Sequence, residues 1–148
     1  MRGSLLLAAT FALMFAGVAL AATYKAGRYE AGSSSGDGVS LRIRHGSFSV
    51  WRVSFMETCS NANRSFTERF TFVKGSNAKL EGKINKEGRL SGRYESSAGV
   101  VKVTGRVGGS AATVKVRESG AFTAEDGETY NCAGSHTFHA KRLEISTG

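Results

Sequence analysis

Apolar and polar residues alternate with a period of two along most of the chain. The segment 39–44, VSLRIR, places valine, leucine and isoleucine on one face and a serine and two arginines on the other. This alternation is typical of a β-strand with one buried and one solvated face. It predicts strands at 24–31, 39–44, 48–55, 65–73, 79–85, 89–96, 100–107, 113–117 and 137–143. Short strands between turns of glycine, serine and asparagine favour an all-β fold, an antiparallel barrel or sandwich of about 8 strands.

A five-residue pattern occurs three times within the predicted strands. The pentapeptides LEGKI, LSGRY and VTGRV, centred on Gly82, Gly92 and Gly105, each read apolar, polar, glycine, basic, apolar. Alternation places the glycines on the inner face with their apolar neighbours. Because glycine weakens a strand, the pattern indicates either sharp coiling of the sheet or a large side chain against the bare backbone. Trp51 or one of the nine phenylalanines would supply that side chain. We therefore interpret these glycines as part of the architecture rather than as ligand contacts.

The same alternation directs basic side chains outward on neighbouring strands. Together they form a possible anion-facing surface, which consists of Lys83, Arg93, Lys102, Arg106, Lys115 and Arg117. A cationic stripe of this kind attracts polyanions. Glu81 and Glu95 fall among these cations, and mixed charge is also what an ordinary solvated sheet face shows. Tyr94 is the one aromatic residue among them and is predicted to face inward, so the stacking platforms of nucleic-acid binding are missing and nucleic acid is not an expected partner.

Residues 1–21 are predicted to be a cleaved signal peptide rather than part of the fold. Arg2 precedes an unbroken stretch of apolar and small residues, which ends in ALA at positions 19–21, the small-x-small pattern of a secretory cleavage site. The competing interpretation is an uncleaved anchor, since the stretch approaches the length that crosses a bilayer. The A-x-A ending and the lack of charge on its far side favour cleavage before Ala22.

The remaining segment, 22–148, is predicted to form a single secreted all-β domain, extracellular or periplasmic. Without Arg2 it has 19 basic and 12 acidic residues, a formal charge of +7. That charge fits an anionic partner, such as a teichoic acid, an acidic glycan or a lipid headgroup, but it would also simply keep a secreted protein soluble. No later stretch is apolar for long enough to span a bilayer, so we expect no transmembrane segment in the mature chain.

The chain has two cysteines, Cys59 and Cys132, and the export signal places them in an oxidising compartment. We predict one disulfide between them. In the chain-entropy model, closing so long a loop destabilises the unfolded state by roughly 4 kcal/mol. A redox role is not expected because the two cysteines are far apart and form no C-x-x-C motif.

Several strings that look catalytic or metal-binding do not meet the requirements of their chemistry. The segment 32–36, GSSSG, matches G-x-S-x-G, but that motif needs a strand-to-helix turn and no helix is predicted after it. His136 and His139 point to opposite faces of a strand and cannot share a metal. The acidic run at 125–128 lacks the spacing of an EF-hand and is interpreted as a loop. Asn63 begins a glycosylation sequon, which matters only in a eukaryotic secretory pathway. No catalytic residue, cofactor or metal is predicted.

Two resemblances bear on the fold. The segment GRLSGRYESSAG with the following VTGRV resembles the hairpin strands of avidin and streptavidin, which implies an up-and-down barrel. The tryptophans that pack biotin in that family have no counterparts, because Trp51 is the single tryptophan of the chain. The resemblance therefore carries no implication of biotin binding.

The second resemblance covers about 38–142. The segments GVSLRIRHGSFSVWRVSF with TCS, then GRLSGRYES, and a closing CAGSHTFHAKR resemble small secreted bacterial all-β domains of uncharacterised function. The sequence departs from them at Phe138, where tryptophan is expected, and in lacking threonines after Ser97. The resemblance implies a β-sandwich or barrel with one disulfide and brings no catalytic residues with it.

Three functions from different classes are compatible with these features. The first is a secreted, non-catalytic binding or envelope-associated domain, for which an anionic compound is one candidate ligand. The second is a secreted inhibitor or protein-interaction factor that presents the loops 60–65 and 125–130 to a partner. The third is a small secreted hydrolase, which would need converging groups with perturbed pKa values.

Overall fold

The structure, a computed structural model, describes residues 22–144. The predicted signal peptide at 1–21 lies outside the described residues. Between residues 22 and 144 no helix is long and apolar enough to cross a membrane. The described chain is all-β, as predicted, and consists of nine strands: β1 (Gly27–Gly32), β2 (Gly38–Arg44), β3 (Ser47–Ser60), β4 (Ser65–Val73), β5 (Leu80–Ile84), β6 (Arg89–Ser96), β7 (Gly99–Gly108), β8 (Ala111–Thr123) and β9 (Thr129–Arg142).

Eight of the nine strands form a closed circuit of antiparallel pairs, so the fold is a barrel and not a sandwich. The circuit runs β1-β2-β3-β5-β6-β7-β8-β9 and closes where β9 pairs with β1. Strand β4 stands outside this circuit, because it pairs with the second half of β3 after β5 has paired with the first half. The pairing of β3 residues 58–60 with β9 residues 131–133 closes the sheet a second time.

The predicted strands agree with the structure except in the length of the three longest ones. Two match exactly, at β4 and β6, and four others differ by at most three residues at either end. Strands β3, β8 and β9 are 14, 13 and 14 residues long, so the predictions that stop at residue 55, stop at 117 and begin at 137 are too short. Beyond those points the inward positions hold glutamate, cysteine and glycine instead of aliphatic residues, and the apolar alternation fades although the strand continues.

The three repeated glycines lie in β5, β6 and β7 on the buried side of each strand, as predicted. Gly82 and Gly92 are directly paired, and Phe48 packs over both of them. A Cβ atom on Gly82 would lie 2.6 Å from Cε1 of Phe48, and one on Gly92 would lie 2.8 Å from its Cζ. The large side chain is thus Phe48, whereas Trp51 is 50% exposed. A Cβ on any of the three glycines would also meet the backbone of a neighbouring strand, and at Gly105 it would meet only the backbone of β8. Such a close approach of two backbones is a usual reason for glycine in a strand.

Candidate functional site

The six residues of the predicted anion-facing surface lie on the outer face of one wall, β5 to β8. The register places Arg93 of β6, Lys102 of β7 and Arg117 of β8 directly side by side. The next two rows along the same strands hold the other three: Lys83, Lys115 and Arg106. Because directly paired side chains have Cβ atoms about 4.5–5.5 Å apart, the first row brings three positive charges together. We call these six residues the cationic wall.

Most of the cationic wall has no carboxylate neighbour. Within the described residues, Arg93 is the one member in a salt bridge, with its Nη2 2.7 Å from Oε2 of Glu95. Glu81 pairs instead with Lys74, at 3.2 Å. Adjacent like charges destabilise a sheet, so a bound anion would relieve the repulsion between Lys102 and Arg117.

A shallow cavity of about 460 Å³ lies over the outer faces of β7, β8 and β9. Its lining includes two cations, Lys102 and Arg117, the hydroxyl groups of Ser119 and Ser135, and one acidic residue, Glu118. Ammonium, guanidinium and hydroxyl groups all donate hydrogen bonds, and the charged donors form the stronger ones with carboxylate, sulfate or phosphate oxygens. These donors are suited to an anionic group, whereas Glu118 opposes one when it is ionised.

Three glutamates that the sequence analysis did not single out meet inside the barrel. Glu57 of β3 and Glu68 of β4 are directly paired, and Glu118 of β8 is paired with Gly134 of β9. Since Gly134 has no side chain, the carboxyl group of Glu118 comes within hydrogen-bonding reach of that of Glu57. Glu57 is buried, and the other two are half-buried. We call Glu57, Glu68 and Glu118 the carboxylate cluster.

Gly134 makes room for Glu57 of this cluster. A Cβ atom on Gly134 would lie 2.8 Å from Cβ of Glu57. This distance is shorter than any normal carbon–carbon contact, so alanine at Gly134 would displace Glu57 or the strand. Gly120 lies beside the cluster, and a Cβ there would lie 3.1 Å from Oε1 of Glu118 but would meet the backbone oxygen of Ala98 first.

The predicted disulfide between Cys59 and Cys132 is present and borders the carboxylate cluster. Its sulfurs are 2.07 Å apart, and the two cysteines are directly paired between β3 and β9. Oε1 of Glu68 lies 3.3 Å from Sγ of Cys59 and 4.0 Å from Sγ of Cys132. Disulfide sulfurs carry no proton, so neither of them donates a hydrogen bond to this carboxyl group.

The carboxylate cluster has no compensating charge in the described part of the chain. No lysine, arginine or histidine there lies within 4.0 Å of its carboxyl oxygens, and Oε2 of Glu57 and Oε2 of Glu118 are buried without a hydrogen-bond partner. Burial, then the neighbouring Glu57 and lastly Glu68 raise the pKa of Glu118 from 4.5 to about 8. Carboxyl groups in this arrangement cannot all be ionised unless a cation neutralises them, and without a cation at least one of them keeps its proton.

A signal for this cluster exists in the sequence. In β3 the buried positions run Val53, Phe55, Glu57 and Cys59, so the glutamate occupies the same parity as the core. Glu68 and Glu118 follow the apolar parity of β4 and β8 in the same way. Glutamate is rarely buried, and a glutamate on the dry face of a strand therefore marks a position with a special environment.

The segment 32–36 and the two histidines of β9 have the geometry that the sequence predicts. The segment 32–36 is a turn between β1 and β2 with no helix after it. His136 lies on the inner side of β9 beside Phe138, with ring centroids 4.5 Å apart, whereas His139 is exposed on the outer side. The histidines therefore do not converge on a common metal.

The two loops considered for partner binding are joined to each other. Nη2 of Arg64 lies 2.9 Å from Asp126 and 3.6 Å from Glu128, and Asn61 donates a hydrogen bond to Glu128 at 2.9 Å. Arg64 also contacts the hydroxyl group of Tyr130. This arginine neutralises much of the acidic run at 125–128, which supports the interpretation of that run as a structural loop.

No family model, curated protein or solved structure matches the chain. The resemblances to avidin-type hairpins and to small secreted bacterial domains therefore remain predictions.

Proposed function

We propose that this protein is a secreted, non-catalytic binding domain whose cationic wall holds an anionic polymer, such as an acidic or sulfated glycan or a teichoic acid. The observation that carries the proposal is the row of Arg93, Lys102 and Arg117, two of which line a cavity together with serine hydroxyl groups. Five of the six wall cations lack a salt-bridge partner in the described chain, so their charges are available to a ligand.

The extent of the cationic wall favours a polymer over a small anion. Its members span four neighbouring strands, β5 to β8. With about 4.8 Å between strands, this corresponds to about 14 Å across the sheet, in addition to three rows along it. A ligand that carries several negative charges would contact more than one row, and its affinity would grow with the number of charges engaged.

A role outside the cytoplasm is part of this proposal. The disulfide supports an oxidising compartment, in agreement with the predicted signal peptide. Envelope and matrix polymers with carboxylate, sulfate or phosphate groups occur in that compartment and are accessible to an exported domain.

The test compares two triple variants on an immobilised sulfated polysaccharide such as heparin. Lys102→Gln, Lys115→Gln and Arg117→Gln together remove three charges from the cationic wall. We expect this variant to elute at clearly lower salt than the wild type, because the interaction between exposed charges is screened by salt. The matched control, Arg42→Gln, Arg44→Gln and Arg52→Gln, removes three exposed charges from β2 and β3. It should elute near the wild type.

Two outcomes would contradict the proposal. If the wild type flows through the matrix at low ionic strength, the cationic wall serves solubility alone. If the two triple variants elute at the same reduced salt concentration, retention depends on net charge and not on this wall. Circular dichroism of each variant would verify that the β fold is intact.

A further inference from the structure

We propose that the carboxylate cluster is a binding site for one hard divalent cation of the Ca²⁺ class. The site consists of Glu57 on β3, Glu68 on β4 and Glu118 on β8, which follow the inner parity of their strands, whereas the cationic wall follows the outer parity. Glu118 also lines the cavity that contains Lys102 and Arg117. The proposal does not depend on the binding of an anionic polymer.

The distances between the carboxyl groups suit one shared ion. Ligand oxygens of Glu57 and Glu68 lie within 4.8 Å of each other, and Glu118 lies within hydrogen-bonding reach of Glu57. Ca²⁺ binds oxygen at about 2.3–2.6 Å, so two oxygens on opposite sides of one ion are about 4.6–5.2 Å apart. The carboxyl groups of Glu57 and Glu68 can therefore coordinate one ion, and Glu118, which interacts with Glu57, would join them by rotation of its side chain.

A buried oxygen without a partner points independently to a ligand. Glu57 is 8% exposed, and its Oε2 accepts no hydrogen bond from any residue between 22 and 144. Leaving a carboxyl oxygen buried without a hydrogen-bond partner is unfavourable. A ligand atom of Glu57 lies within 4.8 Å of one of Glu68, so a cation held by the carboxylate cluster would be in a position to compensate this oxygen.

The described chain supplies no basic group to neutralise the cluster. Three glutamates converge there, and none has a basic side chain within 4.0 Å among residues 22–144. A divalent cation offsets two negative charges at once, whereas a proton offsets one. Gly134 supplies space, because a Cβ at this position would lie 2.8 Å from Cβ of Glu57.

The donor atoms favour Ca²⁺ over Zn²⁺. Cys59 and Cys132 lie next to Glu57 and Glu68, and as thiolates they would complete a sulfur and oxygen set that suits Zn²⁺. In the disulfide they carry no thiolate, so the oxidised protein offers carboxylate oxygens only. Hard cations such as Ca²⁺ prefer an all-oxygen set with a flexible geometry.

The experiment is a calorimetric titration of the full oxidised protein, first stripped with a chelator, with CaCl₂ at pH 8. We expect one ion per chain and a melting temperature about 4 °C or more higher at saturating Ca²⁺. Glu57→Gln and Glu68→Gln should each weaken binding at least tenfold, because each removes a charged ligand. The control Glu125→Gln, an exposed acidic residue of the turn at 125–128, should bind as the wild type does.

Several results would overturn the site. These are the absence of heat and of any change in melting temperature at millimolar Ca²⁺, full binding by both cluster variants, or loss of binding in the Glu125→Gln control. Zn²⁺ binding by the reduced protein without a Ca²⁺ effect on the oxidised protein would also refute it. If Glu57→Gln does not fold, Glu118→Gln serves as the second variant, with the same expected loss of affinity.

Discussion

Two regions inside the barrel have glycines on the inner face of a strand, but the side chains packed against these glycines differ in kind. Near the start of β3, Gly82 and Gly92 leave a bare patch that is filled by the ring of Phe48. Near its end, the bare position Gly134 accommodates the buried Glu57, whose Cβ would lie 2.8 Å from an added Cβ, together with the ring of Phe55 at 2.9 Å. Burying a ring stabilises a fold, whereas burying carboxyl groups without cations costs free energy. The first region is thus explained by folding, while the second needs a reason beyond folding.

The largest effect in this comparison is expected from Phe48→Ala. The side chain is 3% exposed, and its removal would leave a cavity over two glycines that cannot fill it. We expect the free energy of unfolding to fall by about 3–5 kcal/mol, measured by urea denaturation. Trp51→Ala is the control: this aromatic side chain is half-exposed and should contribute much less. Equal losses in the two variants would show that Phe48 does not anchor this region.

A smaller loss is expected from Gly82→Ala. The new methyl group would lie 2.6 Å from Cε1 of Phe48 and 2.6 Å from Cα of Gly92, so the ring and the adjacent strand must both move. We expect a loss of about 1–3 kcal/mol in the free energy of unfolding. Gly108→Ala in β7 is the matched control, because a Cβ there meets nothing within 4 Å. That change should stay within about 0.5 kcal/mol of the wild type; a neutral Gly82→Ala would refute the close packing.

The smallest effect is a pH dependence that belongs to the carboxylate cluster. The pKa of Glu118 is about 8 in the folded protein and 4.5 when unperturbed. As pH rises from about 5 to 8, the unfolded chain has lost this proton while the folded chain keeps it, so stability falls, and the fall ends above pH 8. Because Glu118 is partly exposed, we expect a loss of only about 1–2 kcal/mol in chelator.

The measurement is a series of thermal melts of the chelated protein between pH 5 and 8. Glu118→Gln has no proton to exchange and should flatten the decline. A decline of the same size in the variant would assign it to other groups. No comparable pH dependence is expected from the region around Phe48, because this side chain belongs to the core cluster of buried hydrophobic residues in the described chain.

The fold could be predicted from the sequence wherever local pattern decides it. Alternation alone predicted the strand positions, the inward direction of Gly82, Gly92 and Gly105, and the outward direction of the cationic wall. The choice of a barrel over a sandwich could not be predicted, because it depends on the pairing of β9 with β1 and of β2 with β3. Which edges meet is a property of the whole sheet and not of any one segment.

The carboxylate cluster was missed for a physical reason as well. Glutamate is usually exposed, so in the sequence Glu57 and Glu118 indicate that the buried face of the strand has ended. Their meeting depends on β3, β8 and β9 lying side by side, with Gly134 between the two carboxyl groups. The alternation of inward and outward residues along each strand can be predicted from the sequence. Which residues face each other across neighbouring strands cannot.

The junction between β3 and β9 has a consequence for how the molecule matures. It consists of three residue pairs, and a disulfide between cysteines 73 positions apart links the two strands. Contacts between such distant segments form late in folding. We therefore expect a chain whose cysteines are still reduced to hold β3 and β9 less firmly together at this junction. Oxidation would then be the step that brings the glutamates of β3 and β8 into lasting proximity.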